Sequence, residues 1–199
     1  MKFRFFSIIL FSIVVSCGRM EKSPVQPEVE PATDTTASYF PVADFLRSEI
    51  KQVDSLPVGI KFYRTIQGET DSGYLDRAEF RRLSQEFLPA ELNEDFFQNN
   101  FKENTFFDSD IQRSVFNYLP SSDANNIRRV DVLSKEGDVY SKVTGVYIER
   151  SDERNDSSII SKMMWTPGSH FMINSQQSDK SGNSTISNIR VVWSTGTVE

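Results

Sequence analysis

The chain has 199 residues, 38% hydrophobic and 25% charged, with sixteen Phe, six Tyr, one Cys and one His. That length suits one domain plus processing segments, and a core of about 150 residues could bury roughly 70% of its unfolded surface without a metal or disulfide. A single cysteine excludes an intramolecular disulfide, and a single histidine excludes multi-histidine zinc sites. The formal charge of −6 disfavours nucleic acid and adherence to anionic headgroups.

Residues 1–16 have the three parts of an export signal: a basic start at Lys2 and Arg4, an apolar run over 5–15, and small Ser16 before the cleavage point. The run is shorter than the roughly 20 residues a helix needs to span a bilayer. Val14-Val15-Ser16-Cys17 resembles the lipobox of bacterial type II signal peptides. That resemblance implies cleavage before Cys17, diacylglycerol on its sulfur, and usually an acyl chain such as palmitate on the new amine. Loss of Lys2 and Arg4 from 22 basic residues leaves 20 against 28 acidic ones, a charge of −8. Two or more acyl chains anchor a protein stably, at about 0.8 kcal/mol per buried CH₂.

Residues 17–38 follow as the lipidated cysteine and a tether. Pro24, Pro27 and Pro31 with Glu and Thr give little that could pack, so the segment reads as disordered, reaching at most roughly 65 Å at about 3.1 Å per residue. Asp34-Thr35-Thr36 and Asp54-Ser55-Leu56 resemble the three-residue O-glycosylation motif of Bacteroidetes. Gly18 after the cysteine, with no Asp and no acidic run behind it, resembles Gram-negative sorting signals for the outer membrane, facing the periplasm.

Residues 39–199 read as one α+β domain. Pro41 opens a helix whose apolar face is Val42, Phe45, Leu46, Ile50 and Val53, and Pro57 helps end it. Val58, Ile60, Phe62 and Ile66 alternate as a strand, and residues 68–73 read as a turn. Asp76 and Glu79 make a capping-box pattern, with Leu75 stapling Phe80, ahead of a helix through Phe87. A shorter irregular helix spans 92–101. Strands follow at 106–107, 115–119, 127–133, 139–149, 159–165, 171–175 and 186–193, separated by turn residues. Short connections demand antiparallel neighbours. Helices first and strands later predict N-terminal helices packed on one face of a curved antiparallel β-meander, with a small helix-on-sheet cone as the variant.

The stretches from Tyr74-Leu75-Asp76 through Phe87-Leu88, from Phe101 to Asp108, Ile127-Arg128-Arg129-Val130-Asp131-Val132-Leu133, Val146-Tyr147-Ile148-Glu149 and Met164-Trp165-Thr166-Pro167-Gly168 together resemble a group of small Bacteroidetes lipoproteins with no assigned activity. The resemblance implies the compartment and the fold class and carries over no catalytic residue. The Ser- and Asn-rich end after Trp165 departs from the pattern.

Candidate chemistry is sparse. Ser169 and His170 are adjacent, and neighbours on a strand point to opposite faces, so their side chains are not expected to meet without a bulge. Asp108 and Asp110 read as turn chemistry, since a calcium loop needs further oxygens at set spacing. The same holds for Asp152, Glu153 and Asp156, and for Asp179, Ser181 and Asn183. One of Arg128 and Arg129 is expected to cross the sheet edge to an acid. No phosphate-cradling loop, dinucleotide fingerprint or nucleophile elbow occurs, and no cofactor or metal is expected. Phe96, Phe97, Phe101, Phe106 and Phe107 form the densest aromatic cluster, read first as core and second as a ligand groove between helix and sheet. The functional expectation is a non-enzymatic, lipid-anchored module that meets the membrane through its lipid and binds an envelope protein, peptide or glycan. The alternative is a small apolar ligand in a Phe-lined pocket.

Overall fold

The first helix, α1 (Val42–Ser55), turns Val42, Ala43, Leu46, Ile50 and Val53 inward at helical spacing, with Pro41 at its N-cap. It belongs to a computed structural model that describes residues 39–135 and 143–193. The signal segment 1–16, Cys17, the tether to residue 38 with its Asp34-Thr35-Thr36 motif, positions 136–142 of the predicted turn and strand, and residues 194–199 lie outside the described residues. The second motif, Asp54-Ser55-Leu56, ends α1: Asp54 pairs with Arg81 at 3.0 Å and the Ser55 hydroxyl donates to the Gln52 carbonyl at 2.7 Å.

A hairpin of β1 (Ile60–Ile66) and β2 (Glu69–Leu75) comes next, closed by Gln67 and Gly68 at φ 50° and 90°. Two consecutive left-handed residues are what a two-residue hairpin turn requires. The stretch 68–73 expected as a turn is therefore mostly strand. Its residues are nearly all polar and exposed, so it carries no alternation to read, and it forms because β1 offers it a ladder.

Helix α2 (Arg77–Ser84) starts as its sequence predicts, with Asp76 Oδ1 accepting from the Glu79 N–H at 2.8 Å. Only half of the box forms, because the Glu79 carboxylate turns to Arg82 at 2.7 Å, which holds its pKa below the usual carboxylate value. Arg77 reaches back to the end of α1. Its guanidinium donates to the carbonyls of Val53 and Val58, each at 2.9 Å, and to that of Leu56. These include orphan carbonyls of a helix end that a cation suits. Two 3₁₀ turns, Gln85–Phe87 and Ala90–Leu92, lead to the short α3 (Glu94–Asn100).

The remainder is strand: β3 (Phe101–Asp108), β4 (Arg113–Pro120), β5 (Ile127–Ser134), β6 (Val143–Glu153), β7 (Ser157–Thr166), β8 (His170–Asp179) and β9 (Ser184–Val192). Each pairs antiparallel with the next, and β9 also pairs with β1, giving one nine-stranded sheet in the order β2-β1-β9-β8-β7-β6-β5-β4-β3. The sheet does not close, since its edges β2 and β3 do not meet. Antiparallel strands and three α-helices agree with an α+β class weighted towards β.

The register explains the core. Residues opposite one another share a face, so Phe116, Val132, Val146, Trp165, Phe171, Val191 and Phe62 form one continuous row, and Tyr118, Val130, Ile148, Met163, Ile173 and Ile189 form the next. Most of these belong to the same cluster of buried side chains as Leu46, Phe80, Phe87 and Phe97 from the helical segments, with Phe62, Phe116 and Ile189 half-buried against it. Phe80 meets Phe171 and Trp193 at 6.2 and 6.1 Å, and Phe87 meets Trp165 and Phe171 at 5.4 and 5.3 Å.

Candidate functional site

The five phenylalanines of the predicted groove do not converge. Phe97 and Phe101 are buried, with ring centroids 4.6 Å apart, and Phe97 lies 4.9 Å from Tyr118. Phe96 is exposed on α3, while Phe106 and Phe107, 42% and 49% exposed, stand on the edge strand β3. Alternation along β3 sends Phe106 and Phe107 to opposite faces, so no single cavity can take both. The groove as expected is thus corrected to two separate features, a core pair and an exposed edge.

A hollow does exist beside Phe97, between the start of α1 and α3. It measures about 190 Å³, is partly open to solvent, and is lined by Tyr39, Phe40, Pro41, Val42, Ala43, Leu92 and Phe97 with Asp44, Arg47, Glu94 and Gln98. Its wall is tied to the sheet. The Tyr39 hydroxyl donates to the Phe101 carbonyl at 2.8 Å, and the Phe40 N–H donates to the Tyr118 hydroxyl at 3.1 Å. Its polar rim is largely satisfied from within: Arg47 pairs with Asp44 at 2.6 Å and donates to Asn93 at 3.2 Å, and Gln98 donates to Glu94 at 3.1 Å. Phe40, Leu92 and Phe97, all buried, supply apolar side chains to the same lining. A dry apolar cavity of about 150 Å³ admits benzene, so this one has room for a single ring or a branched aliphatic side chain.

The opposite rows of the sheet carry a polar network. Asp131 is 7% exposed at its side chain, accepts from Asn117 at 2.6 Å and pairs with Arg129 at 2.6 Å. That hydrogen bond raises the Arg129 pKa above its ordinary value. Arg129 also lies 5.8 Å over the Tyr147 ring, whose hydroxyl donates to Glu149 at 3.0 Å. Burial, then the Glu149 bond, push the Tyr147 phenol up to about 12. Arg129 pairs within its own strand at i,i+2, where both side chains share a face. The expected reach across the sheet edge does not occur, and Arg128 donates to the Asp123 carbonyl instead. Fully partnered in this way, the network has the character of a structural clamp.

Ser169 and His170 do meet: Oγ and Nδ1 are 3.0 Å apart. The expectation of opposite faces fails because Ser169 is the last residue of the β7–β8 turn rather than a strand residue, so strand alternation does not govern it. Burial, then Arg190, lower the His170 pKa, which favours the neutral imidazole. Among the described residues, neither side chain lines the hollow and no carboxylate bonds the imidazole to complete a triad. Asp108 Oδ1 accepts from the N–H groups of Asp110 and Ile111, and Asp179 accepts twice from Asn183, so both acidic clusters are turn-forming. Among the described residues no three His, Cys, Asp or Glu come together as a metal site, and no helix is long and apolar enough to cross a membrane.

Sequence reasoning named Phe97 and missed the rest of the hollow. Pro41 reads only as a helix start and Leu92 as the first residue of a short irregular helix, Tyr39 carries no signal of its own, and nothing in their spacing brings residues 39–47 to residues 92–98. No known family, curated protein or solved structure matches the chain.

Proposed function

We propose that this chain is a lipid-anchored binding module of the cell envelope, acylated at Cys17, that captures an apolar side chain of a partner protein or peptide in the hollow between α1 and α3. In this reading the helices cover one face of a curved sheet, residues 17–38 form the tether, and the domain works near the outer membrane on its periplasmic side. The observation that carries the proposal is the apolar side chains of Phe40, Leu92 and Phe97 lining the hollow beside polar groups that already have partners, Arg47 on Asp44 and Gln98 on Glu94. Tyr39, which lines the hollow, follows directly on residue 38, which would set the hollow at the root of the tether.

The second reading is a small free ligand in the same hollow. Its volume of about 190 Å³ favours something no larger than one ring, since pockets for drug-sized ligands measure roughly 300–1,000 Å³. Both readings are tested with a photo-crosslinking residue at the exposed rim position Gln98, in membranes, with and without Ala43→Phe to fill the hollow. One adduct that disappears on filling, and is competed by N-acetyl-phenylalanine amide, supports the partner reading. Chemical-shift changes at Ala43 and Leu92 on adding N-acetyl-phenylalanine amide, without any adduct, favour the small ligand. An unchanged adduct pattern and silent shifts would end both. Mass spectrometry of the N-terminus tests the anchor separately: an unmodified thiol at Cys17 removes it.

A further inference from the structure

The sheet leaves two edges, β2 and β3, and they differ in chemistry. β2 carries Glu69 and Asp71 and only one large apolar residue that is strongly exposed, Tyr74. In β3 the charges sit near the ends, at Lys102, Glu103 and Asp108, while Asn104, Thr105, Phe106 and Phe107 are all exposed and uncharged. An exposed, uncharged, aromatic edge is what folded proteins ordinarily avoid unless something pairs with it.

The hydrogen-bond phase of that edge follows from the pairing with β4. Ser121 N–H donates to the Asn100 carbonyl at 2.7 Å, which flanks the opposed residues Phe101 and Pro120. That pair therefore exchanges no hydrogen bonds, and the N–H and C=O of Phe101 point off the sheet. The Tyr39 hydroxyl on the Phe101 carbonyl agrees. Alternation then aims the backbone groups of Glu103, Thr105 and Phe107 outward. Among the described residues nothing bonds to them.

We infer that β3 is a dimerisation edge, on which a second copy of this chain adds its own β3 antiparallel about a two-fold axis through Thr105. Three constraints select this pairing. Opposed residues in an antiparallel ladder must both face the partner or both face away, so a symmetric pairing can centre only on a residue, never between two. Centring on Asn104 would require the Phe101 carbonyl, which Tyr39 already occupies. Centring on Phe106 leaves only two outward-facing residues per strand, Thr105 and Phe107, in the ladder. Centring on Thr105 uses Glu103, Thr105 and Phe107 of each copy and sets Lys102 opposite the second copy's Asp108, twice. Asp108 Oδ2 is available for this, since its turn contacts run through Oδ1. The same register brings Phe106 of each copy into diagonal reach of the other.

The test is a cysteine scan in the full chain carrying Cys17→Ser, with Asn104→Cys, Thr105→Cys and Phe106→Cys made singly and oxidised. A hydrogen-bonded antiparallel pair has Cα atoms about 5.5 Å apart, inside the roughly 4.4–6.8 Å a disulfide accepts, so Thr105→Cys should crosslink far more completely than its neighbours. Light scattering should give twice the chain's 22.8 kDa. Thr105→Pro should return it to a single chain with unchanged circular dichroism, because the lost N–H points away from β4. A single-chain mass up to about 100 µM with no crosslink at any of the three positions overturns the inference. A dimer mass that survives Thr105→Pro, or a strongest crosslink at 104 or 106, overturns it as well.

Discussion

Removing the Phe87 ring tests whether the helical segments and the sheet share one core. Phe87 is fully buried, with its ring 5.4 Å from Trp165 at an interplanar angle of 80° and 5.3 Å from Phe171. Phe-to-Ala changes at such sites cost about 3–5 kcal/mol, from lost transfer energy plus the cavity left behind. Phe87 sits on a 3₁₀ turn that could settle slightly, which argues for about 4 kcal/mol rather than the top of that range. Against a total stability of about 5–15 kcal/mol that is a large fraction, and it should lower Tm by roughly 8–16 °C in a domain of this size. Phe87→Leu keeps most of the volume and should cost about 1.5 kcal/mol or less. Urea unfolding followed by tryptophan fluorescence is a direct assay, because both tryptophans, Trp165 and Trp193, lie in this aromatic cluster. A loss below about 1 kcal/mol for the alanine variant, or equal losses for alanine and leucine, would show that the ring does not seal the sheet.

Arg77→Met should cost about 2–3 kcal/mol, since it strips a charged donor from two carbonyls at the end of α1 and from that of Val58 just beyond it, and hydrogen exchange at residues 54–58 should accelerate with it. Asp131→Ala should cost about 2–3 kcal/mol in urea, below the full 3–5 for a broken buried pair because the Arg129 side chain is 45% exposed. His170 has a folded pKa below 6.5, so its contribution is present above that value and is lost as pH falls from there towards the folded value. Stability measured from pH 8 down to about 5 should therefore decline less steeply in His170→Gln than in the parent. The raised Tyr147 phenol should appear in an alkaline absorbance titration as one tyrosine ionising near 12, a step missing from Tyr147→Phe. Its sign is opposite to that of His170: the stabilisation holds below the ordinary 10.0 and is lost as pH rises through the folded value.

Periodicity and capping made α1, α2 and most of the meander legible. Val42, Leu46, Ile50 and Val53 could only be a helix face, and Asp76 with Glu79 could only be a helix start. β2 escaped notice because Glu69 to Ser72 have no apolar alternation; it is a strand through its ladder to β1, and pairing partners are invisible to a local window. β3 is half legible, since Phe106 and Phe107 announce a strand while Lys102 to Asn104 fall in no expected element. The hollow lay further out of reach. It depends on bringing residues 39–47 against 92–98, which spacing along the chain does not encode, and the density of phenylalanine pointed at a groove where the fold instead divides those rings between core and edge.

The place of β9 has a consequence for how the molecule is made. The last described strand lies between β8 and β1, with Lys61 opposite Val192, so the two ends of the domain meet inside the sheet rather than at its borders. During synthesis the seven-strand run can zip up hairpin by hairpin, but the first hairpin has no seat until residues 184–192 have emerged. Closing that loop of over a hundred residues is slow relative to forming neighbouring hairpins. Until it closes, β1 and β9 each keep one edge without a partner, and a chaperone acting on this chain would meet both edges together.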